Sequence, residues 1–168
     1  PVKDVHHFKK KVLNWATRSA NKHRSKFNKN QPIFYLDSNH HQDSYSQYEA
    51  LIGIGSLQEL KATTKDNLEA LHEFHQKCND WLLGYLSYDL KNEVEELESN
   101  NDDLQQTPDL FFFQPEKLLI ITEKSCEFHY PDTSKNEVDK DLQAIQEQNG
   151  DHGHQGSDIN IRQAISQD

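Results

Sequence analysis

One polar stretch between two apolar runs carries side chains that could bind a small molecule. In its sequence, DSNHHQDSYSQYE, Asp37 offers a carboxylate, Ser38 and Ser46 offer hydroxyls, and Tyr45 and Tyr48 offer flat rings. A carboxylate can bind an ammonium group, hydroxyls and strand-end amides can bind an acid, and rings can cover an apolar body. The composition therefore suits an amphoteric small molecule. The alternative is an ordinary long hairpin whose tyrosines cover the edge of a sheet.

Other chemistry-bearing residues lack the partners that a reaction or a metal requires. His72 and His75 lie three residues apart on a predicted helix, a spacing that can place two imidazoles on one metal. No carboxylate or cysteine pattern completes that site, so we interpret both as surface histidines. Cys78 and Cys126 have only distant histidines in sequence, and GIGS lacks the third glycine of a dinucleotide fingerprint. The sequence predicts no catalytic residue and no metal ligand in this chain.

Length and composition limit the class of protein. A chain of 168 residues is long enough for one domain with a packed core. Its net charge of −10 would repel the phosphates of a nucleic acid, so we expect no nucleic-acid partner. Its two cysteines lack the spacing of a disulfide framework, which favours a reducing compartment. No apolar run approaches the roughly 18–20 residues that a membrane span needs. We therefore expect a soluble, cytoplasmic protein that does not contact a membrane.

Strands on either side of the polar stretch must hold the candidate binding residues. The run IFYLD predicts a strand over residues 33–37, and YEALIGIGS and LQELKAT predict two further strands. Gly53 and Gly55 alternate on one face of their strand, so another backbone or a ligand can approach closely there. A helix is predicted over residues 5–23 and should pack on this sheet. Its apolar stripe consists of Val5, Phe8, Val12, Trp15 and Ala16.

A second helix and a strand follow. Asp66 is predicted to cap the helix, with Glu69 completing a capping box, and the helix should end near Asn79. The next run, WLLGYLSYD over residues 81–89, is apolar enough for a central strand.

The remaining elements decide the fold class. The runs DLFFFQP, KLLIITE and CEFHYP predict three consecutive strands joined by tight turns, one of them at Pro115. A helix is predicted over residues 134–148, with Val138, Leu142 and Ile145 facing inward, and INIRQAISQD begins a strand-like segment. This order favours an α+β fold over a doubly wound parallel sheet. We expect a mixed, mainly antiparallel sheet with about three packed helices.

Four blocks of sequence carry a resemblance to a known family. The order YLDSN, SYSQYEALIGIG, WLLGYLSYDLKNEVE and TPDLFFFQPEKLLII resembles the N-terminal domain of the chorismate-utilising synthases. These are the large subunits of aminodeoxychorismate synthase and anthranilate synthase. The likeness covers about residues 5–168 and is strongest over 35–55 and 81–121. The lysine that follows YDL looks more like the aminodeoxychorismate branch.

The resemblance implies a tryptophan pocket. Family members bind tryptophan in this domain through a Leu-Leu-Glu-Ser-like motif and a segment a few residues later. Asp37 stands where that motif has a glutamate and is one methylene shorter. Transferred by position, the pocket residues are Leu36, Asp37, Ser38, Tyr45, Ser46 and Tyr48.

The resemblance also implies that the chain is part of a larger enzyme. Residues 1–150 would form the N-terminal domain, and residues 151–168 a linker and the start of a chorismate-binding domain. That C-terminal domain would hold the catalytic residues and the Mg²⁺ of the parent enzyme, so no cofactor is expected in this chain. The implied partners are the chorismate-binding domain, a glutamine amidotransferase subunit and tryptophan. The absence of methionine also suggests a fragment of a longer gene product.

Three functional hypotheses follow. The first is the N-terminal domain of aminodeoxychorismate synthase component I, which serves 4-aminobenzoate and folate synthesis. The second is the corresponding regulatory domain of anthranilate synthase in tryptophan synthesis. The third, of another class, is a stand-alone module that senses an amino acid. In the first two cases the sheet should expose an apolar patch to its partner domain.

Overall fold

A computed structural model describes most of the chain as two compact units. The described residues are 4–27, 31–39, 41, 45, 47–62, 66–95, 107–131, 135–148 and 160–164. The first unit comprises Pro1–Gly55 and Glu116–Asp168, and the second comprises Ser56–Pro115. The helices are α1 (Val5–Phe27), α2 (Asn67–Cys78), α3 (Lys91–Glu95) and α4 (Lys135–Gln146), and a 3-10 turn covers Tyr88–Leu90. The strands are β1 (Ile33–Asp37), β2 (Ala50–Lys61), β3 (Leu83–Leu86), β4 (Leu110–Ile121), β5 (Ser125–His129) and β6 (Asn160–Ala164).

The strands form one sheet in the order β1-β2-β4-β5-β6, with β3 paired to β4. The pairs β1–β2, β3–β4 and β4–β5 are antiparallel, whereas β5 and β6 are parallel. Three of the described helices have twelve residues or more. The predicted α+β class, with a mixed and mainly antiparallel sheet, is confirmed. None of the described helices has both the length and the apolarity required to cross a membrane.

The core of the first unit forms where the predicted stripe of α1 meets the strands. Side chains three and four residues apart share one face of a helix, and alternate residues share one face of a strand. The stripe therefore packs as one surface against the inward face of β2 and against α4. The fully or nearly buried members of this core include Phe8, Val12, Trp15, Ala16, Ala50, Ile52, Ile54, Leu119, Ile121, Phe128, Val138 and Ile145. The predicted buried face of the helix over 134–148 is confirmed by Val138 and Ile145.

Helix α4 is also held by a polar contact with the strands. Lys117 on β4 lies 2.6 Å from Asp141 Oδ2 and 2.8 Å from Glu137 Oε1. The Tyr130 hydroxyl donates to Asp141 Oδ2 at 3.0 Å. Burial and the nearby Asp141 carboxylate raise the pKa of Tyr130, so this phenol stays protonated and keeps donating.

Helix α2 begins and ends where the sequence predicts, but its N-terminal cap is different. Asp66 has a left-handed backbone with φ 58° and makes no capping hydrogen bond with its side chain. Glu93 on α3 caps the helix instead. Its Oε1 accepts from the Asn67 backbone N–H at 2.7 Å, and its Oε2 accepts from Asn67 Nδ2 at 2.9 Å. The predicted capping box of Asp66 and Glu69 is therefore wrong. The sequence pattern did not indicate Glu93 because it lies 26 residues after Asn67.

Removing the Glu93 carboxylate should weaken α2. A Glu93→Ala variant is expected to lose about 1 kcal/mol of unfolding free energy, the usual effect of deleting an N-cap acceptor. Urea denaturation followed by circular dichroism would measure the loss. Glu95→Ala, at an exposed position of the same short helix, is the control and should change little. Equal stabilities of the two variants would contradict the capping role.

Two predicted strand breaks are absent. A single strand, β2, covers the two runs YEALIGIGS and LQELKAT. Gly55 adopts φ 70° without ending the strand, and beyond it the alternation of more buried and more exposed residues continues to Lys61. The predicted turn at Pro115 is also wrong, since Pro115 lies inside β4. Leu110–Phe113 of β4 pair with β3, and Leu118–Ile121 pair with β5. Pro115 falls between these two pairing segments, so its missing N–H costs no ladder bond to β3 or β5.

The segment expected as a central strand occupies a side position. Among the described strands, β3 pairs with β4 alone. Leu86 at its end is half exposed, and Tyr88 beyond it is more exposed still. The apolar composition of WLLGYLSYD therefore does not reflect burial between two neighbouring strands.

The strand-like segment near the end of the chain is confirmed as a strand. Asn160–Ala164 form β6, which pairs in parallel with Ser125–His129 of β5. These residues thus extend the sheet of the first unit.

Candidate amino-acid-binding site

The antiparallel pairing of β1 and β2 places Asp37 and Ser38 of the predicted motif beside Glu49, the residue that follows Tyr48. Asp37 stands opposite Ala50 in the register of the pair. Beyond the last paired residue, the Ser38 N–H donates to the Glu49 carbonyl at 3.0 Å. The next turn is closed by the His41 N–H, which donates to the Ser38 carbonyl at 2.9 Å. The motif residues therefore lie beside the end of the connection.

Lys9, which sequence reasoning missed, lies at the end of β1 beside Asp37 and Glu49. Lys9 of α1 is only 2% exposed, and its ammonium lies 2.7 Å from Asp37 Oδ1 and 3.5 Å from Glu49 Oε2. Its place in FKKK suggests a solvated basic helix. Its spacing, however, is four residues after Val5 and three before Val12, which places it on the apolar stripe. That spacing is the signal by which Lys9 could have been found.

Both oxygens of Asp37 are engaged by groups of the same unit. Oδ1 accepts from Lys9 Nζ and, at 2.8 Å, from the Asn39 backbone N–H. Oδ2 accepts from the hydroxyl of Tyr35. Burial by itself would raise the pKa of Asp37, but the hydrogen bonds from Lys9, Tyr35 and Asn39 outweigh it and lower the pKa to about 2. Asp37 is thus an ionised, internally paired carboxylate.

Glu49 is the second carboxylate of the site and was not predicted. Its Oε2 accepts from Ser38 Oγ at 3.2 Å and, more distantly, from Lys9 Nζ at 3.5 Å. Its backbone is fixed on both sides, since its N–H donates to the Ile121 carbonyl at 2.7 Å and its own carbonyl accepts from Ser38. The side chain is 19% exposed, so it can be reached from solvent.

The remaining predicted residues lie largely at the surface. Leu36 is 49% exposed and stands opposite Leu51 of β2 in the strand register. Tyr45 is 92% exposed and Tyr48 is 39% exposed. Ser46 lies outside the described residues. These three large side chains thus present apolar and aromatic surface from the segments next to the carboxylates.

The other candidate residues are not assembled into a site. His72 and His75 line an open groove of about 860 Å³ in the second unit, together with Trp81 and Phe112. Within the part of the chain that the structure describes, no group of three or more histidine, cysteine or acidic residues could hold a metal ion. Cys126 is buried, and burial raises the pKa of its thiol to about 12, so it is a poor nucleophile.

Acid unfolding should include a contribution from Asp37. Its folded-state pKa of about 2 lies below the ordinary value of 3.8, so its ionised form stabilises the fold at any pH above 3.8. This stability is lost as the pH falls from 3.8 through about 2, because protonation removes the charge that pairs with Lys9. An Asp37→Asn variant should therefore lose less stability than the wild type over that interval. Thermal unfolding at stepped pH would measure both profiles.

The matched control for the acid profile is Asp139→Asn, at an exposed position of α4. It should follow the wild-type curve. An Asp37→Asn curve that runs parallel to the wild type would contradict the assignment.

No protein-family model matches this chain, and no curated protein matches it. The geometry around Lys9, Asp37 and Glu49 and the residue patterns of the sequence are therefore what bear on function.

Proposed function

We propose that this chain is the N-terminal domain of aminodeoxychorismate synthase component I. The parent enzyme would convert chorismate and ammonia to 4-amino-4-deoxychorismate in the cytoplasm, with ammonia supplied from glutamine by an amidotransferase subunit. Mg²⁺ and the catalytic residues would belong to the C-terminal chorismate-binding domain. The domain itself would pack against that catalytic domain and bind tryptophan.

The grouping of Asp37, Ser38 and Glu49 at the end of β1 supports this proposal most directly. The Ser38 hydroxyl and the carboxylates of Asp37 and Glu49 converge there around Lys9. Two carboxylates against one ammonium leave one negative charge, which a ligand ammonium would balance. The site therefore has the charge that the ammonium group of an α-amino acid requires.

Exposed apolar side chains next to these carboxylates also support the proposal. Leu36 and Tyr48 are each more than a third exposed, and Tyr45 is almost fully exposed. A bound indole ring and the partner domain would cover such surface, which is costly to leave in water.

The proposal is tested by the reaction of the protein encoded by the complete reading frame. Purified protein would be mixed with chorismate, an ammonium salt and Mg²⁺, and the products separated by liquid chromatography with mass detection. We expect 4-amino-4-deoxychorismate. Anthranilate as the product would contradict the proposal and place the chain in the other branch of the family. If the reading frame lacks a catalytic domain and neither product forms, the amino-acid-sensing module is the better account.

A further inference from the structure

We infer that a cavity in the first unit is a second binding site, for a small aromatic amine that carries an anionic group at its other end. The cavity has a volume of about 350 Å³ and is lined by residues of α1, α4, β2 and β4. Small-molecule pockets typically have volumes of roughly 300–1,000 Å³. None of Lys9, Asp37 and Glu49 lines this cavity, so it is a different place on the unit. The inference goes beyond the proposed function and does not depend on it.

Two side-chain oxygens converge on the sheet side of the cavity, beside Gly55 of β2. A Cβ atom at this glycine would lie 2.7 Å from Glu116 Oε2 and 2.9 Å from Gln31 Oε1. Both oxygens therefore face the space that the missing side chain leaves. The sequence predicted that a backbone or a ligand could approach closely at this glycine, and the groups found here are two hydrogen-bond acceptors.

The oxygen of Gln31 is left without a donor. Gln31 Oε1 is buried, and no described residue donates a hydrogen bond to it. A buried acceptor without a donor is costly, and Glu116 Oε2 cannot satisfy it because an ionised carboxylate only accepts. The nearby cation Lys117 is directed to Asp141 and Glu137, at 2.6 Å and 2.8 Å. A ligand that fits here must therefore bring N–H donors, and a primary amine can donate to both oxygens.

The helices supply cations and apolar surface. Arg18 of α1 and Lys140 of α4 line the cavity from exposed positions. Arg18 Nη1 donates to Gln148 Oε1 at 2.7 Å, and the guanidinium has further N–H groups for a ligand. The buried side chains of Trp15 and Ile54 also line the cavity. A flat ring can contact Trp15 and Ile54 while its anionic group binds the two cations.

The charge of the cavity favours an uncharged amine over an ammonium group. Among the described lining residues, three are cationic and two are carboxylates, which leaves one positive charge in excess. A ligand with a net negative charge complements this excess. The nitrogen of an arylamine is uncharged at neutral pH, so an aminobenzoate has a net charge of −1, whereas a zwitterionic amino acid has none.

The test compares 4-aminobenzoate with 4-methylbenzoate, in which a methyl group of similar size replaces the amine. Both would be titrated calorimetrically into the protein encoded by the complete reading frame. We expect the wild type to prefer 4-aminobenzoate by about 10-fold or more, the usual effect of a charge-assisted hydrogen bond. Aniline, which lacks the carboxylate, should bind about 10-fold more weakly than 4-aminobenzoate for the same reason.

Three substitutions locate the binding in this cavity. Gln31→Leu removes the buried acceptor and should weaken 4-aminobenzoate about 5-fold, and Glu116→Gln removes the charge and should weaken it about 10-fold. Both variants should bind 4-methylbenzoate nearly as the wild type does. Lys140→Gln removes a partner of the carboxylate and should weaken the two benzoates equally. The matched control is Glu123→Gln, at an exposed position, which should leave both affinities unchanged.

Thermal unfolding of each variant would check that it is folded, and the exposed position of Lys140 makes that variant the least disruptive of the three. Equal affinities of the wild type for the two benzoates would overturn the inference, as would failure to bind 4-aminobenzoate. A full preference for 4-aminobenzoate in folded Gln31→Leu and Glu116→Gln would place the binding elsewhere and would also overturn it. The products formed from chorismate test the proposed function separately.

Discussion

A Lys9→Ala variant is expected to lose about 2–3 kcal/mol of unfolding free energy, because the substitution removes the buried partner of a charge-assisted hydrogen bond to Asp37. The lysine side chain is 2% exposed and lies 2.7 Å from Asp37 Oδ1. Without it, Asp37 and Glu49 face each other across a cavity with no cation between them. Urea denaturation, followed by the fluorescence of the core residue Trp15 in a Trp81→Phe background, would measure the loss.

The control for this prediction is Lys10→Ala, one residue further along α1 at an exposed position. It should change the unfolding free energy by no more than about 0.5 kcal/mol. A second comparison separates charge from packing. Combining Lys9→Met with Asp37→Asn and Glu49→Gln removes all three charges, and this triple variant should be more stable than Lys9→Ala. A Lys9→Ala variant as stable as the Lys10→Ala control would show that the ion pair contributes nothing.

A Gly84→Ala variant should destabilise the second unit by about 3 kcal/mol, at the upper end for overpacking. Gly84 stands opposite Phe112 in the register of β3 and β4. An added Cβ would overlap the carbonyl oxygen of Phe111 and lie 2.7 Å from the Phe112 Cα. Because these are backbone atoms of the paired strand, they cannot move aside as a flexible side chain does. The two strands would have to separate locally.

The fluorescence of Trp81, which lies two residues before β3, would report the loss during urea denaturation in a Trp15→Phe background. Leu86→Ala, at a half-exposed position of the same strand, is the control and should cost less than about 1 kcal/mol. If the two variants unfold at the same urea concentration, Gly84 is not required for the pairing of β3 with β4.

The spacing of apolar residues was enough to predict the buried face of a helix. The stripe of α1 and the apolar positions of α4 were predicted because helical spacing alone determines which side chains share a face. The lengths of β2 and β4 could not be obtained in that way. Gly55 and Pro115 are turn residues by composition, and only the pairing of each strand with its neighbours shows that the strand continues through them.

The candidate site was predictable in part for a similar reason. Asp37 and Ser38 stood out because they lie where a predicted strand gives way to a polar connection, and the structure places Asp37 at the last residue of β1 and Ser38 directly after it. The cation that neutralises Asp37 comes from α1, so its identity depends on how the helix packs on the sheet. In the sequence, Glu49 is one more acidic residue in a polar stretch. Only the hydrogen bonds to its carboxylate, from Ser38 and Lys9, show that it belongs to the site.

The discontinuous first unit has a consequence for synthesis of the chain. Its core combines side chains from before Gly55 with others from after Glu116, whereas the second unit is a single continuous segment. During translation, α1, β1 and the first half of β2 emerge early and must wait for the later residues that complete their core. The nested segment is fully synthesised sooner and can fold first, so the apolar stripe of α1 is the surface most exposed to misassociation on the ribosome.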